Sequence, residues 1–289
     1  MQIRRPIVAG QFYPCEPEAC KDEIEACLAA RNVRESLPET IVAGIVPHAG
    51  WTFSGDLGAM VFSAIKQRRE KVDTFVIFGA AHGYFGTRPA LDDSDFWETP
   101  LGSVGIDKTI AEPLLTNKLV VSDSMAHRRE HSIEVQVPFI QSLFGGSKIL
   151  PIIVPPGEQA ISVGEVFGDI MKGGKTVVCI GSTDLTHYGP RYGFTPMGTG
   201  LEALQWASRV NDQRFIDAAV KLDAQGLLAS AAENGNACGP GAAAATVAAA
   251  KTLGKTEGLL LAHSNSSEAM LQRMHTTGLD SVGYAAIVF

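Results

Sequence analysis

Six apolar runs rich in Val and Ile recur along the chain, at 41–47, 74–80, 148–154, 176–181, 257–263 and 282–289. Stretches of helical periodicity fill most of the gaps, at 17–31, 55–70, 107–117, 131–144, 158–172, 200–222, 224–233 and 240–253. Strands that alternate with helices pair in parallel when the helices cross over the sheet faces. The pattern therefore predicts a three-layer α/β/α fold with a largely parallel or mixed central sheet. Runs such as IVAGIV, TFVIFG and VVCIG lack polar alternation, which fits strands covered on both sides.

Three of these runs are followed closely by a histidine: His48 after IVAGIVP, His82 after TFVIFGAA and His187 after TVVCIGSTDLT. If the runs are neighbouring parallel strands, the three imidazoles gather at one end of the sheet, where open α/β sheets bind ligands. In PHAGW, Pro47 ends the strand and Ala49-Gly50 permits a tight turn behind His48, with Ser54 as a cap for the following helix. GAAHG repeats that grammar around His82. In STDLTHYG, Asp184 and His187 are three apart, which on a helical turn puts carboxylate and imidazole on one face. The acid can orient the ring, or both can be ligands; alternatively Asp184 merely caps a short helix. Cys238 in NACGPG precedes an Ala-rich helix opened by Pro240, where the helix dipole favours a thiolate, nucleophile or soft metal ligand. An isolated histidine is more plainly read as bonding its own loop, whereas two such loops leave the plain and functional readings level, as Cys238 does against a small buried cysteine.

Other groups carry less information. Glu130 and Glu134 flank His131 in EHSIE, and a supporting role behind a ligand competes with a surface ion pair. His263 ends a strand run and can approach the same cleft, whereas His127 and His275 lie in polar, loop-like surroundings and receive no role. Segment ALDDSDFWETPLGSVGID reads as a hairpin turning at Thr99-Pro100-Leu101-Gly102, placed to roof the His82 loop.

Composition bounds the function. The 289 residues are 45% apolar, enough for a substantial core, and carry a net charge of −7 with no long basic run. That balance argues against nucleic acid as a partner. No repeat or linker divides the chain, so one domain over 1–289 is expected. The opening MQIRRPIVAGQFYP lacks the apolar stretch of a signal peptide, and AAAATVAAAKTLG is too short to span a bilayer, so a cytoplasmic location without membrane contact is expected. Five cysteines make a complete disulfide framework unsuited, and Cys15, Cys20 and Cys27 match no common zinc or iron–sulfur spacing. Walker A, HExxH, GxSxG and strand-linked GxGxxG motifs are absent.

The ordered motifs RRPIVAGQFYP, PHAGW, GAAHG, EHSIEVQVPF, STDLTHYG and NACGPG resemble the Memo family over nearly the whole chain. That family is similar in fold to the class III, LigB-type extradiol dioxygenases. The resemblance implies a single Memo-like domain and a metal held by His48, His82 and Cys238. It makes Asp184 and His187 cleft residues, with His187 in the acid–base position. Fe(II) or copper is the implied cofactor, with zinc as an alternative. Dioxygenases of this type use two histidines and a carboxylate, whereas a thiolate suits softer ions, so ring cleavage does not follow from the likeness. A metal-dependent redox enzyme acting on a small molecule or protein is the first expectation. A metal-buffering or peptide-binding adaptor is the second, and a zinc-type hydrolase the third. The resemblance also implies radical-SAM and AMMECR-type partner proteins.

Overall fold

A computed structural model describes residues 1–33, 36–174 and 176–289. Four parallel strands form the middle of its main sheet, in the order Ala43–Val46, Val177–Ser182, Thr74–Gly79 and Lys148–Ile153. Each is buried along nearly its whole length, as unbroken apolar runs require. Ser281–Val288 extends this sheet antiparallel to Ala43–Val46, and Leu259–Asn265 pairs antiparallel with it in turn. The sheet is thus mixed, parallel at its centre and antiparallel towards its edges.

Helices cover both faces. Trp51–Arg68 packs on one face, together with Pro17–Ala30 and Val137–Leu143. Pro240–Thr252 covers the other, against Glu158–Lys172 and Ala224–Asn234. The Ala-rich composition of Pro240–Thr252 has a packing cause. A side chain at Gly164 or Gly168 would collide with Ala245 or Thr252 on the facing helix, and one at Gly181 would strike Thr246. Helix, helix and sheet approach almost backbone to backbone, and only small residues permit that distance. Among the described residues no helix is long and apolar enough to cross a membrane.

Several local expectations change. The helix expected from 55 starts at Trp51 behind Gly50, so Ser54 lies inside its first turn and donates to the Ala49 carbonyl instead of capping it. The stretch 131–144 is an irregular segment, a 3-10 turn Glu134–Gln136 and then helix Val137–Leu143, with Pro138 at its start. The stretch 200–222 is interrupted by a widened π-type turn at Ala207–Asn211, which turns buried Asn211 and Asp212 towards Thr186. The hairpin Phe96–Thr99 and Gly102–Gly105 forms at the expected turn. It pairs with Ile3–Arg4 rather than roofing the cleft, because Trp97 is buried beneath the Arg4 guanidinium at 4.0 Å. Cys20 and Cys27 are buried with Ile24 on one face of Pro17–Ala30, and Cys15 is exposed.

Candidate metal centre

The parallel strands deliver their histidines to one end of the sheet. His48 follows Ala43–Val46, His82 follows Thr74–Gly79, and Ser182 closes Val177–Ser182 between them. Their rings meet edge to face, 5.1 Å apart between centroids. A third imidazole joins them from the irregular segment after Glu130: His131 stacks on His82 at 5.1 Å and 9°, and meets the His48 ring at 5.4 Å. The ligand atoms of His48, His82 and His131 lie within 4.8 Å of one another, a group able to hold a metal ion. Cys238 brings its sulfur to 3.2 Å from Nε2 of His48.

The tautomers follow from the surroundings. Ser182 gives its one hydroxyl hydrogen to the Ser132 carbonyl at 2.7 Å, so its oxygen, 3.1 Å from Nδ1 of His48, accepts the ring N–H. Nε2 of His48 is left facing the cluster, where it holds either a proton shared with Cys238 or a cation. Nδ1 of His82 likewise donates to Glu130 at 3.1 Å, a carboxylate also held by the Ser132 amide at 2.8 Å. An imidazole whose far nitrogen is bound by a carboxylate or hydroxyl is oriented for metal ligation.

Asp184 and His187 also reach this place, though not by the helical turn expected. Residues 183–186 run as an irregular link tied to Gly283 and Asp212, and His187 opens the short strand His187–Tyr188. Asp184 accepts the His48 amide at 2.7 Å while its own amide donates to the Cys238 sulfur at 3.3 Å. His187 lies against Tyr192 with ring centroids 5.0 Å apart, and its Nε2 is buried without a hydrogen-bond partner.

The charges are strongly interdependent. Burial opposes protonation of His48, but the Cys238 thiolate and Asp184 outweigh it and raise its pKa to about 9. Burial is likewise overcome at His82, where Cys238 and Glu130 raise the value to about 10. Burial acts against the Cys238 thiolate, yet His48, His187 and His82 hold its pKa well below the usual thiol range. Glu130 is driven to about 2 by His82 against its burial, and His131 is lowered to about 4 by burial and by the neighbouring His48 charge. Burial raises Asp184. Without an ion, the cluster is a thiolate balanced by imidazolium; a cation can take the place of those protons.

His48, His82 and His131 line a cavity of about 580 Å³ walled in part by Phe12, Phe53, Tyr192 and Tyr284, with Arg191 and Asp280 among its lining residues, whereas Cys238 lines a separate cavity of about 350 Å³. His263 is not among the lining residues: its Nε2 lies 2.9 Å from Asp212, the group that holds Thr186 in the 183–187 link. His127, expected in a polar loop, is fully buried with Nε2 2.9 Å from the Ala90 carbonyl. Glu134 is not on the surface; it is buried and binds Arg4. Sequence alone assigns no role to His131 or Ser182, and the one signal for His131 is its position between two acids.

Fold and cleft together define a three-layer α/β/α protein with a histidine-lined pocket at the strand ends and the Cys238 sulfur against one of its rings. The chain belongs to the Memo family: the family model described as Memo-like protein matches residues 4–288. It is similar to MEMO1 family proteins of Methanosarcina barkeri, 37% identical over 291 residues covering 99% of each chain, and of Methanosarcina acetivorans, 35% identical over 293 residues covering 100% of this chain and 99% of that one. The Pyrococcus furiosus member is 33% identical over 296 residues, 99% of this chain and 98% of the other.

Proposed function

We propose that this chain binds one iron or copper ion through His48, His82 and Cys238, with His131 in reach as a further donor, and acts as a metal-dependent redox enzyme. The observation that carries the reading is the convergence of two imidazoles, each with its far nitrogen already bound, on a sulfur 3.2 Å from one of them. The donor set fits the group: imidazole suits iron, copper and zinc, and thiolate suits the softer of these. When bound, the ion supplies Lewis acidity and one-electron chemistry.

The chain's own residues supply the rest. Ser182 and Glu130 hold the two rings, and Asp184 fixes the His48 amide and the sulfur together. Burial opposes protonation of His187, but Cys238 prevails and raises its pKa, and the residue lines the cavity. From there it gives a proton to a substrate atom and recovers it later, as general acid and then base.

Elemental analysis tests the reading. Wild type purified without chelators carries one iron or copper per chain, and His48→Ala loses most of it; equal metal content in both contradicts the proposal. Metal-dependent oxygen consumption with catechol-like or thiol substrates marks turnover, whereas tight binding without it marks a buffer.

A further inference from the structure

We propose that Arg4, through Glu130 and Glu134, is a positioning residue of the metal centre, so that the N-terminal segment 3–13 and the ion site are coupled. The proposal rests on the ion-holding reading above. Arg4 is far from every ligand in sequence, yet it grips the segment that supplies His131 and supports both other histidines. Its Nη2 donates to the Glu130 carbonyl at 2.7 Å, its Nε donates to the His127 carbonyl at 3.1 Å, and its Nη1 pairs with Glu134 at 2.8 Å. The same residue whose carbonyl Arg4 holds, Glu130, binds Nδ1 of His82 with its carboxylate.

Glu134 completes the clamp. It accepts the amides of Ile7 and Val8, both at 2.9 Å, and the Tyr13 hydroxyl at 3.0 Å. The bound segment then places Phe12 edge-on against His131, 4.9 Å between centroids, and its carbonyl accepts the Trp51 amide at the start of the helix behind His48. One buried ion pair thus ties the N-terminal segment to all three imidazoles.

Stability alone is a poor reason for such a pair. Side-chain exposure is 7% for Arg4 and 1% for Glu134, and buried ion pairs are commonly no better than apolar replacements for holding a fold together. What an apolar residue cannot do is supply donors to the carbonyls of His127 and Glu130, which lie outside any strand ladder. Arg4 therefore fixes the shape of the segment, and through it the ring geometry.

The test is a cobalt(II) titration of the full-length protein, read from thiolate-to-cobalt absorption, in wild type, Arg4→Met, Arg4→Lys and Ile24→Ala. Ile24 is buried on Pro17–Ala30, takes no part in the hydrogen bonds of the clamp, and controls for lost stability. Arg4→Met weakens cobalt binding about 10- to 100-fold, as loss of partners behind a ligand does. Arg4→Lys recovers part of it, and Ile24→Ala stays within about twofold of wild type. Arg4→Met binding like wild type, or Ile24→Ala losing as much, overturns the proposal. If Arg4→Met does not fold, hydrogen exchange of the wild type decides: cobalt slows exchange at the Ile7 and Val8 amides, because coupling is reciprocal, and unchanged exchange overturns the proposal. If wild type binds no cobalt, the metal reading fails separately. The positioning claim then stands or falls on whether Glu134→Gln moves the metal-free imidazole resonances of His82 and His131.

Discussion

The sulfur of Cys238 stands 3.2 Å from Nε2 of His48, so the two groups either share a proton or share an ion. Metal affinity therefore depends on pH. Burial acts against protonation, but Cys238 and Asp184 hold His48 protonated to about 9, and Cys238 and Glu130 hold His82 to about 10. An incoming cation must displace those protons. Affinity rises as pH rises and levels off near pH 10. Competitive zinc titrations between pH 6 and pH 10 check this. In Cys238→Ala, with the thiolate gone, both pKa values fall, although Asp184 and Glu130 still act to raise them. Its binding is weaker overall, but its pH dependence moves to lower pH.

Glu130→Gln removes the charged partner of His82 while keeping its shape. The expected result is a loss of roughly 10- to 100-fold in metal affinity, measured by titration, with the fold retained.

The same carboxyl predicts acid behaviour. Its folded pKa, about 2, lies below the ordinary 4.5, because the attraction of His82 exceeds the effect of burial. A depressed carboxyl adds stability at pH values above its unfolded pKa and loses it as pH falls through the folded one. Wild type should lose on the order of 3 kcal/mol from this group between pH 5 and pH 2. Urea unfolding across that range should give a shallower acid loss for Glu130→Gln.

Ser182→Ala frees Nδ1 of His48 from its acceptor and leaves the Ser132 carbonyl without the hydroxyl that now donates to it. Recorded above pH 9, where His48 is neutral, imidazole nitrogen resonances of the metal-free variant should show mixed His48 tautomers where wild type shows one, with metal binding weakened about tenfold.

Away from the site, Gly164→Val drives a branched side chain into the backbone of Ala245. Thermal unfolding should show a loss of about 3 kcal/mol or more, with metal affinity per folded molecule unchanged.

Unbroken apolar runs made the main strands readable to within about two residues, because burial on both faces leaves an imprint that needs no tertiary information. The gathering of His48 and His82 followed from strand ends meeting at one edge, whereas Cys238, which precedes a helix, was joined to them by the family resemblance. The remainder depends on contacts between distant segments. The 131–144 stretch has a helical period, but Glu130, His131 and Ser132 are held irregular by Arg4, by the Ala80 amide on the Ser132 hydroxyl and by His82. Asp184 and His187 have helical spacing, yet bonds to Gly283 and Asp212 draw their link out of a helix. Ser182 looked like one more strand residue, and only its neighbours make it a partner of His48.

Anomalous diffraction from crystals grown with the bound metal tests the central claim most directly. The account predicts one peak within bonding distance of Nε2 of His48, the free nitrogen of His82 and the sulfur of Cys238. A fully loaded crystal with its peak elsewhere, or with the Cys238 sulfur outside coordination distance, would contradict it.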